Sequence, residues 1–330
     1  MEISEFNPHQ ITNGDTPEVF FTVYTESLIE KFKSGEIGTD KGDFYSIETI
    51  RSYSYFLDTW KAFELEKGIQ YNFKQIYPVL TKEFTNFLQT AGKSKNSISL
   101  ILSKLKAVLK FAFLEGFCFW NGSGIKTPTE LTTKIYLSIA ELRKLRQTKV
   151  TESQERVLDA FIIQCFTGLR YETLQQFLEY PVAFIKEYEG SSYIDITSDK
   201  TGEQSIIPIG ETVREILKKN QQKSLNFSEE YTNRVLKVIA KKSELTNLIA
   251  TQITKGGQKV KQFTSKSNLI TTHTARRTFI SLAKQSDISD REIQGVTGHK
   301  TETQLNTYNR TTNLEKVKGI LGNKFFDTEI

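Results

Sequence analysis

The feature that most constrains this chain is a run in which Ile98, Ile101, Leu102, Leu105, Val108, Leu109, Ala112 and Phe113 recur at three- and four-residue steps before Gly116. That period lines one side of an α-helix and is incompatible with a strand, whose side chains alternate every second residue. So broad an apolar stripe has to be buried against other helices. Three neighbouring segments offer partners. Phe20, Tyr24, Leu28 and Phe32 fall on a helix expected to start at Thr16-Pro17 and to stop at Gly35. Ile50, Tyr53, Leu57 and Trp60 fall on one starting near Ser46, and Phe84, Phe87 and Leu88 on one capped by Thr81. The pattern predicts a small helical domain over residues 44–122, preceded by an acidic segment, 1–43, with one helix of its own.

Residues 120–135, WNGSGIKTPTELTTKI, have the Gly, Pro, Ser and Thr content of a connection, and the linker proper is placed at 123–135. Beyond it, Ser138 and Glu141 form a capping-box pattern, a long helix is expected from about Ser153 to Phe166, and a second capping box sits at Ser289 and Glu292. The one predicted β-hairpin pairs Tyr193–Thr197 with Ser205–Ile209 through Lys200-Thr201-Gly202. Pro208 marks its second strand as an edge, because proline cannot donate to a ladder. Residues 136–330 therefore read as a second domain, and the chain as mainly α with a small antiparallel β-sheet.

Charge is distributed unevenly. Residues 1–66 carry 5 Lys/Arg against 13 Asp/Glu, whereas the chain from Lys67 onward carries a net +13, a field that attracts a polyanion. Lys104, Lys106 and Lys110 alternate with the apolar stripe of the helix at 98–113. Together with Lys255, Lys259, Lys261 and Lys266, expected on a loop, they are the candidate contacts for such a polyanion. Cys118 and Cys165 lie in apolar surroundings and read as reduced core residues of a cytoplasmic protein. The acidic, polar start is not that of a signal peptide, and no apolar run approaches the roughly 20 residues a bilayer demands, so no membrane association is expected.

The chemistry-bearing residues are separated but ordered. Thr167-Gly-Leu-Arg170 follows an apolar helix, Lys200 tips the hairpin, His273-Thr-Ala-Arg276 sets an imidazole and a guanidinium three residues apart, and Gly298-His299 precedes Tyr308 by nine residues. Singly, each has an ordinary structural reading: a helix-capping arginine, a solvated lysine, a core histidine. In this order they resemble the tyrosine recombinase, or phage integrase, family from about Tyr136 to Tyr308, and residues 44–116 are similar to its helical, SAM-like core-binding domain. The resemblance implies a helical core-binding domain followed by an α/β tyrosine recombinase catalytic domain. Its activity would be site-specific strand exchange through a 3′-phosphotyrosine, without metal or cofactor, for integration or excision of a mobile element or for DNA inversion.

Residue by residue, the resemblance makes Tyr308 the nucleophile. Arg170 and Arg276 hold the scissile phosphate and His299 completes the cradle. Lys200 protonates the leaving 5′ oxygen, and His273 assists proton transfer or phosphate binding. The physical chemistry agrees, because charge growing on the non-bridging oxygens suits two guanidiniums and a departing alkoxide needs an acid. One departure is Thr173, where the family commonly has Asp or Glu three residues after the first arginine. The implied partners are double-stranded DNA and further copies of the chain, a homotetramer on two paired sites from a monomer or dimer in solution, with room for an accessory DNA-bending protein. A type IB topoisomerase is the nearest rival in the same chemistry. A repressor with a dead site is opposed by the complete residue set, and a metal nuclease by the lack of a ligand cluster.

Overall fold

The computed structural model describes residues 19–130, 132–199, 202–221, 223–299 and 301–309. The chain divides into two compact units, one of residues 1–132 with 252–261 and the other of 133–251 with 262–330.

Among the described residues four α-helices build the first unit: α1 (Phe21–Ser34), α2 (Ile47–Lys67), α3 (Pro78–Thr90) and α4 (Lys95–Leu114). The stripe of α4 is buried from Ile98 to Ala112, as its period requires. Aromatic rings fill the space it faces, with Trp60 lying 4.7 Å from Phe21 and 4.9 Å from Phe84 between ring centres. Ser46 and Ser94 cap α2 and α4 through their hydroxyls, and Gly35 and Gly68 end α1 and α2 in the left-handed conformation.

Three expectations are corrected here. Helix α1 starts after Phe20, whose extended backbone pairs with Asn72, so it does not run on from the expected start at Thr16-Pro17, which lies outside the described residues. It belongs to the same hydrophobic core as α2–α4, so a boundary at residue 43 would cut that core in two. Thr81 does not cap α3: Pro78 opens the helix at its first position, and the Thr81 hydroxyl bonds back to the Pro78 carbonyl inside it.

In the second unit, α5 (Ile139–Gln147) opens with the Ser138–Glu141 capping box, and α6 (Glu152–Thr167) opens with another between Thr151 and Gln154. Helix α6 is the central element, with Val157 to Ile163 and Cys165 buried in the unit's core. After α7 (Tyr171–Glu179) and α8 (Pro181–Phe184) come β1 (Ile185–Tyr188), β2 (Ser191–Thr197) and β3 (Gln204–Pro208), antiparallel in that order. Ile194 pairs with Ile207 and both are buried; β3, with Pro208, is an edge as expected, while β1 is a strand the sequence did not betray. Then follow α9 (Glu211–Lys219) and α10 (Glu229–Lys242), and a second hairpin, β4 (Leu248–Lys255) and β5 (Gln258–Ser265), where a loop was expected and of which residues 252–261 count with the first unit. Helices α11 (Lys266–Leu269), α12 (Thr272–Gln285), α13 (Asp290–Thr297) and α14 (Glu302–Asn306) complete the described chain. The segment carrying Lys200 and Thr201 lies outside the described residues.

Candidate active site

The site is assembled around Arg276 on α12. This side chain is 2% exposed, although His273, one turn earlier on the same helix, is open to solvent. Among the described residues its guanidinium is held by main-chain carbonyls, not by a carboxylate. Nη1 donates to Gly168 O, and Nη2 donates to Thr297 O at 2.5 Å. Both acceptors belong to helix C-termini, Gly168 closing α6 and Thr297 ending α13, where unpaired carbonyls concentrate partial negative charge.

The two glycine motifs follow from this arrangement. Gly168 has φ 66°, and a Cβ there would come within 2.5 Å of the Phe279 ring, so this turn accepts only glycine. The rest of the motif is fixed around it: the Gln164 amide donates to Leu169 O at 3.0 Å, Leu169 enters the core, and Arg170 becomes the N-cap residue of α7. Gly298, with φ 63°, closes α13, and a Cβ built on it would lie 3.8 Å from Nη1 of Arg170. The close approach puts the second guanidinium beside His299.

His299 is 7% exposed, with Nδ1 2.7 Å from the Thr297 hydroxyl. Arg276 Nη2 lies 3.4 and 3.3 Å from its two ring nitrogens. The Tyr308 ring is centred 5.0 Å from the imidazole and 5.6 Å from the Arg276 guanidinium carbon. Tyr308 is placed there by the turn after α14, where its N–H donates to Leu305 O and Leu305 packs with Ile280, Ala283 and Ile293.

Electrostatics mark the pocket as a place for an anion. Burial, then Arg276 and Arg170, push the His299 pKa down to about 3, so the ring is neutral at physiological pH. Burial, then Arg170, push Arg276 down to about 9, which still leaves it cationic. Its Nε–H is buried without a hydrogen-bond partner among the described residues. Two like charges and an unused donor converge where a negatively charged oxygen would satisfy all three.

Arg170, Arg276, His299 and Tyr308 thus come together. His273 stands apart, exposed at the start of α12, within electrostatic reach of Arg277, Glu229 and Arg276. Lys200 lies outside the described residues, though the strands bearing its turn are joined by Ser198 N–H to Glu203 O at 2.9 Å. Thr173 is buried, so no carboxylate occupies that position. Sequence reasoning missed Thr297; its only signal was the hydroxyl immediately before Gly298-His299.

The lysines separate into groups. Lys106 and Lys110 are exposed four residues apart on α4, but Lys104 is half-buried with Nζ 4.2 Å from the centre of the Tyr53 ring. Lys255, Lys259 and Lys261 are exposed on β4 and β5, strands and not a loop. Lys266 is removed from the set of candidate contacts, because its side chain is 14% exposed and ion-paired with Glu141 at 2.6 Å.

Comparison with known proteins agrees with this layout. Residues 20–121 match the phage integrase SAM-like domain, a span that includes α1. The fold is that of solved recombinases. A lambda integrase dimer bound to a COC′ core site aligns with TM-score 0.63 at 19% identity, over 88% of this chain and 95% of that one. XerH site-specific recombinase on a palindromic difH substrate aligns with TM-score 0.63 at 14% identity, over 95% and 98%. The Tn1549 transposon integrase with circular-intermediate DNA gives 0.62 at 14%, over 92% and 99%. No curated protein matches the chain in sequence. At these identities the likeness concerns the fold, and the chemistry rests on the chain's own residues.

Proposed function

We propose that this protein is a site-specific tyrosine recombinase that breaks and rejoins double-stranded DNA through a 3′-phosphotyrosine at Tyr308. The observation that carries the reading is the convergence of Arg170, Arg276, His299 and Tyr308 around an unused, buried guanidinium N–H. The phosphodiester takes the place between the two arginines, and Arg276 Nε–H gains its missing acceptor. Tyr308 Oη attacks phosphorus, the bond to the 5′ oxygen breaks, and Lys200 supplies that oxygen's proton. The guanidiniums stabilise the charge that grows on the non-bridging oxygens, a contribution worth about 10²–10³ in rate for one fixed donor. The phosphotyrosine conserves the bond, so rejoining is the reverse reaction and requires no nucleotide. His273, exposed at the rim, assists from the solvent side.

DNA contacts are assigned to Lys106 and Lys110 of the SAM-like domain and to Lys255, Lys259 and Lys261 of the second hairpin. The working form is a tetramer on two paired sites. No described helix is long and apolar enough to cross a membrane, and a cytoplasmic location fits an enzyme acting on DNA. Integration or excision of a mobile element, or inversion of a segment, is the biological outcome.

The test is covalent capture. A pool of nicked duplexes with a randomised segment, in which the cleaved strand's short 5′-hydroxyl fragment diffuses away, should trap the protein on DNA. Tyr308→Phe should trap none and still retain DNA in a mobility-shift assay. Trapping by the phenylalanine variant would refute the assignment.

A further inference from the structure

The hydrogen bonds around His299 determine which of its nitrogens carries the proton. Thr297 Oγ lies 2.6 Å from the carbonyl of Ile293, one turn back on α13. Two oxygens so close need a proton between them, or their lone pairs would face each other, so the Thr297 hydroxyl donates to that carbonyl. A threonine hydroxyl has a single hydrogen. With it spent, the 2.7 Å contact to His299 can only be Nδ1–H donating to Oγ. The neutral ring is therefore protonated on Nδ1 and bare on Nε2. Arg276 does not consume the bare lone pair. Its Nη2 is nearly equidistant from both ring nitrogens, at 3.4 and 3.3 Å, and an in-plane lone pair cannot point at a donor placed so symmetrically.

We propose that Thr297 is a positioning residue that fixes His299 as a proton acceptor, and that His299 Nε2 takes the phenolic proton of Tyr308 during strand cleavage. This rests on the strand-cleaving reading above and gives His299 a different first task from cradling the phosphate. In the empty site a bare Nε2 has no hydrogen to offer a phosphate oxygen. As Tyr308 attacks, its O–H bond breaks and the proton passes to Nε2, while the Oη–P bond forms and the P–O5′ bond breaks with Lys200 protonating the departing oxygen. The resulting imidazolium then has an N–H for the phosphoryl group. On rejoining, Nε2 returns the proton to the phenol.

Two features support this assignment. The ring of Tyr308 is the aromatic neighbour of the imidazole, 5.0 Å away. Burial first, and then Arg276 and Arg170, keep the ring neutral in the empty enzyme; the two cations are the groups a phosphate would neutralise, so the base gains strength when substrate is bound. The sequence Thr297-Gly-His299 is the local device: a left-handed glycine turns the chain back so that a side chain two residues on meets the helix-terminal hydroxyl.

The test has two readouts. The chain has three histidines, so nitrogen-15 histidine labelling with His299→Gln as the assignment control isolates the His299 ring. The free enzyme should show a pyrrole-type Nδ1 and a pyridine-type Nε2. Thr297→Ser should hold that tautomer, and Thr297→Val should release it. Adduct formation on the duplex recovered by covalent capture provides the second readout. Glutamine can donate to a phosphate but cannot take up a proton, so His299→Gln should slow cleavage by about 10²-fold or more. A protonated Nε2 in the free wild-type enzyme would overturn the inference, as would a His299→Gln rate within a few-fold of wild type. Absence of any adduct from the wild type, with the tautomer as described, would instead refute the strand-cleaving reading and the base role with it.

Discussion

Glu64 in the first unit and Arg276 in the second are both buried charges, and the two are treated in opposite ways. In the first unit Glu64 is 7% exposed and its carboxylate is enclosed by donors: Thr22 Oγ at 2.6 Å, Trp60 Nε1 at 2.9 Å and Tyr71 N at 3.0 Å. The bonds from Thr22 and Tyr71 tie α1 and the segment after α2 to α2 itself. In the second unit Arg276 is buried as deeply, beside a second guanidinium, with one N–H unpartnered among the described residues. A buried charge with a complete set of partners serves the fold. A buried charge held in place but incompletely partnered stores affinity for something that arrives later.

The comparison can be broken most readily at Arg276. Arg276→Ala should lower the rate of adduct formation by about 10²–10³-fold, read in single-turnover gels. Its thermal midpoint should change little, since removing an incompletely satisfied buried cation also removes a desolvation cost. A large fall in stability with an unchanged rate would reverse the roles given to the two charges.

Glu64→Ala should do the opposite. Three donors would lose their acceptor, costing about 1.5–3 kcal/mol for hydrogen bonds to a charged group, measured by urea unfolding. The cleavage rate per folded molecule should remain as in the wild type.

The division between closed and open charge was only partly legible in the sequence. Local signals read correctly: the Ser138–Glu141 and Ser289–Glu292 boxes and the helix-ending Gly35, each set by chemistry within four residues. The convergence of Arg170, Arg276, His299 and Tyr308 was foreseen by resemblance and not by spacing. What failed was non-local. Nothing in Lys266 announces a carboxylate 125 residues away, and only packing shows that α1 completes the aromatic core. The second hairpin escaped because residues Gln258–Phe263 are exposed on both faces, which erases the alternation that would reveal a strand. Thr297 escaped because its importance lies in the direction of one hydrogen.

A smaller effect should appear with pH. The folded-state pKa of His299 is depressed below its unfolded value, so the unfolded chain binds the proton first. Its contribution is therefore neutral above about pH 6.5 and becomes destabilising as pH falls from there towards about 3. The His299→Gln variant should lose less stability than wild type between pH 7 and 5 in denaturant titrations. An identical pH dependence in the two proteins would show that the ring is not desolvated as described.

The smallest expected change separates surface lysines by unit and environment. Lys106→Gln and Lys110→Gln should each reduce the slope of log affinity against log salt by about 0.9 if each neutralises one phosphate. Lys266→Gln should leave that slope unchanged, because its partner is Glu141. A slope change at Lys266 would return it to the DNA-binding surface.

The residue to which DNA becomes attached defines the active site. Protease digestion of the trapped adduct and mass spectrometry of the nucleotide-bearing peptide locate that bond among 13 tyrosines and every other nucleophile in the chain. The expected result is a single modified peptide carrying a 3′-phosphonucleotide on Tyr308. Attachment at another residue, or through a 5′ phosphate, would contradict the assignment of Arg170, Arg276, His299 and Tyr308 as one active site.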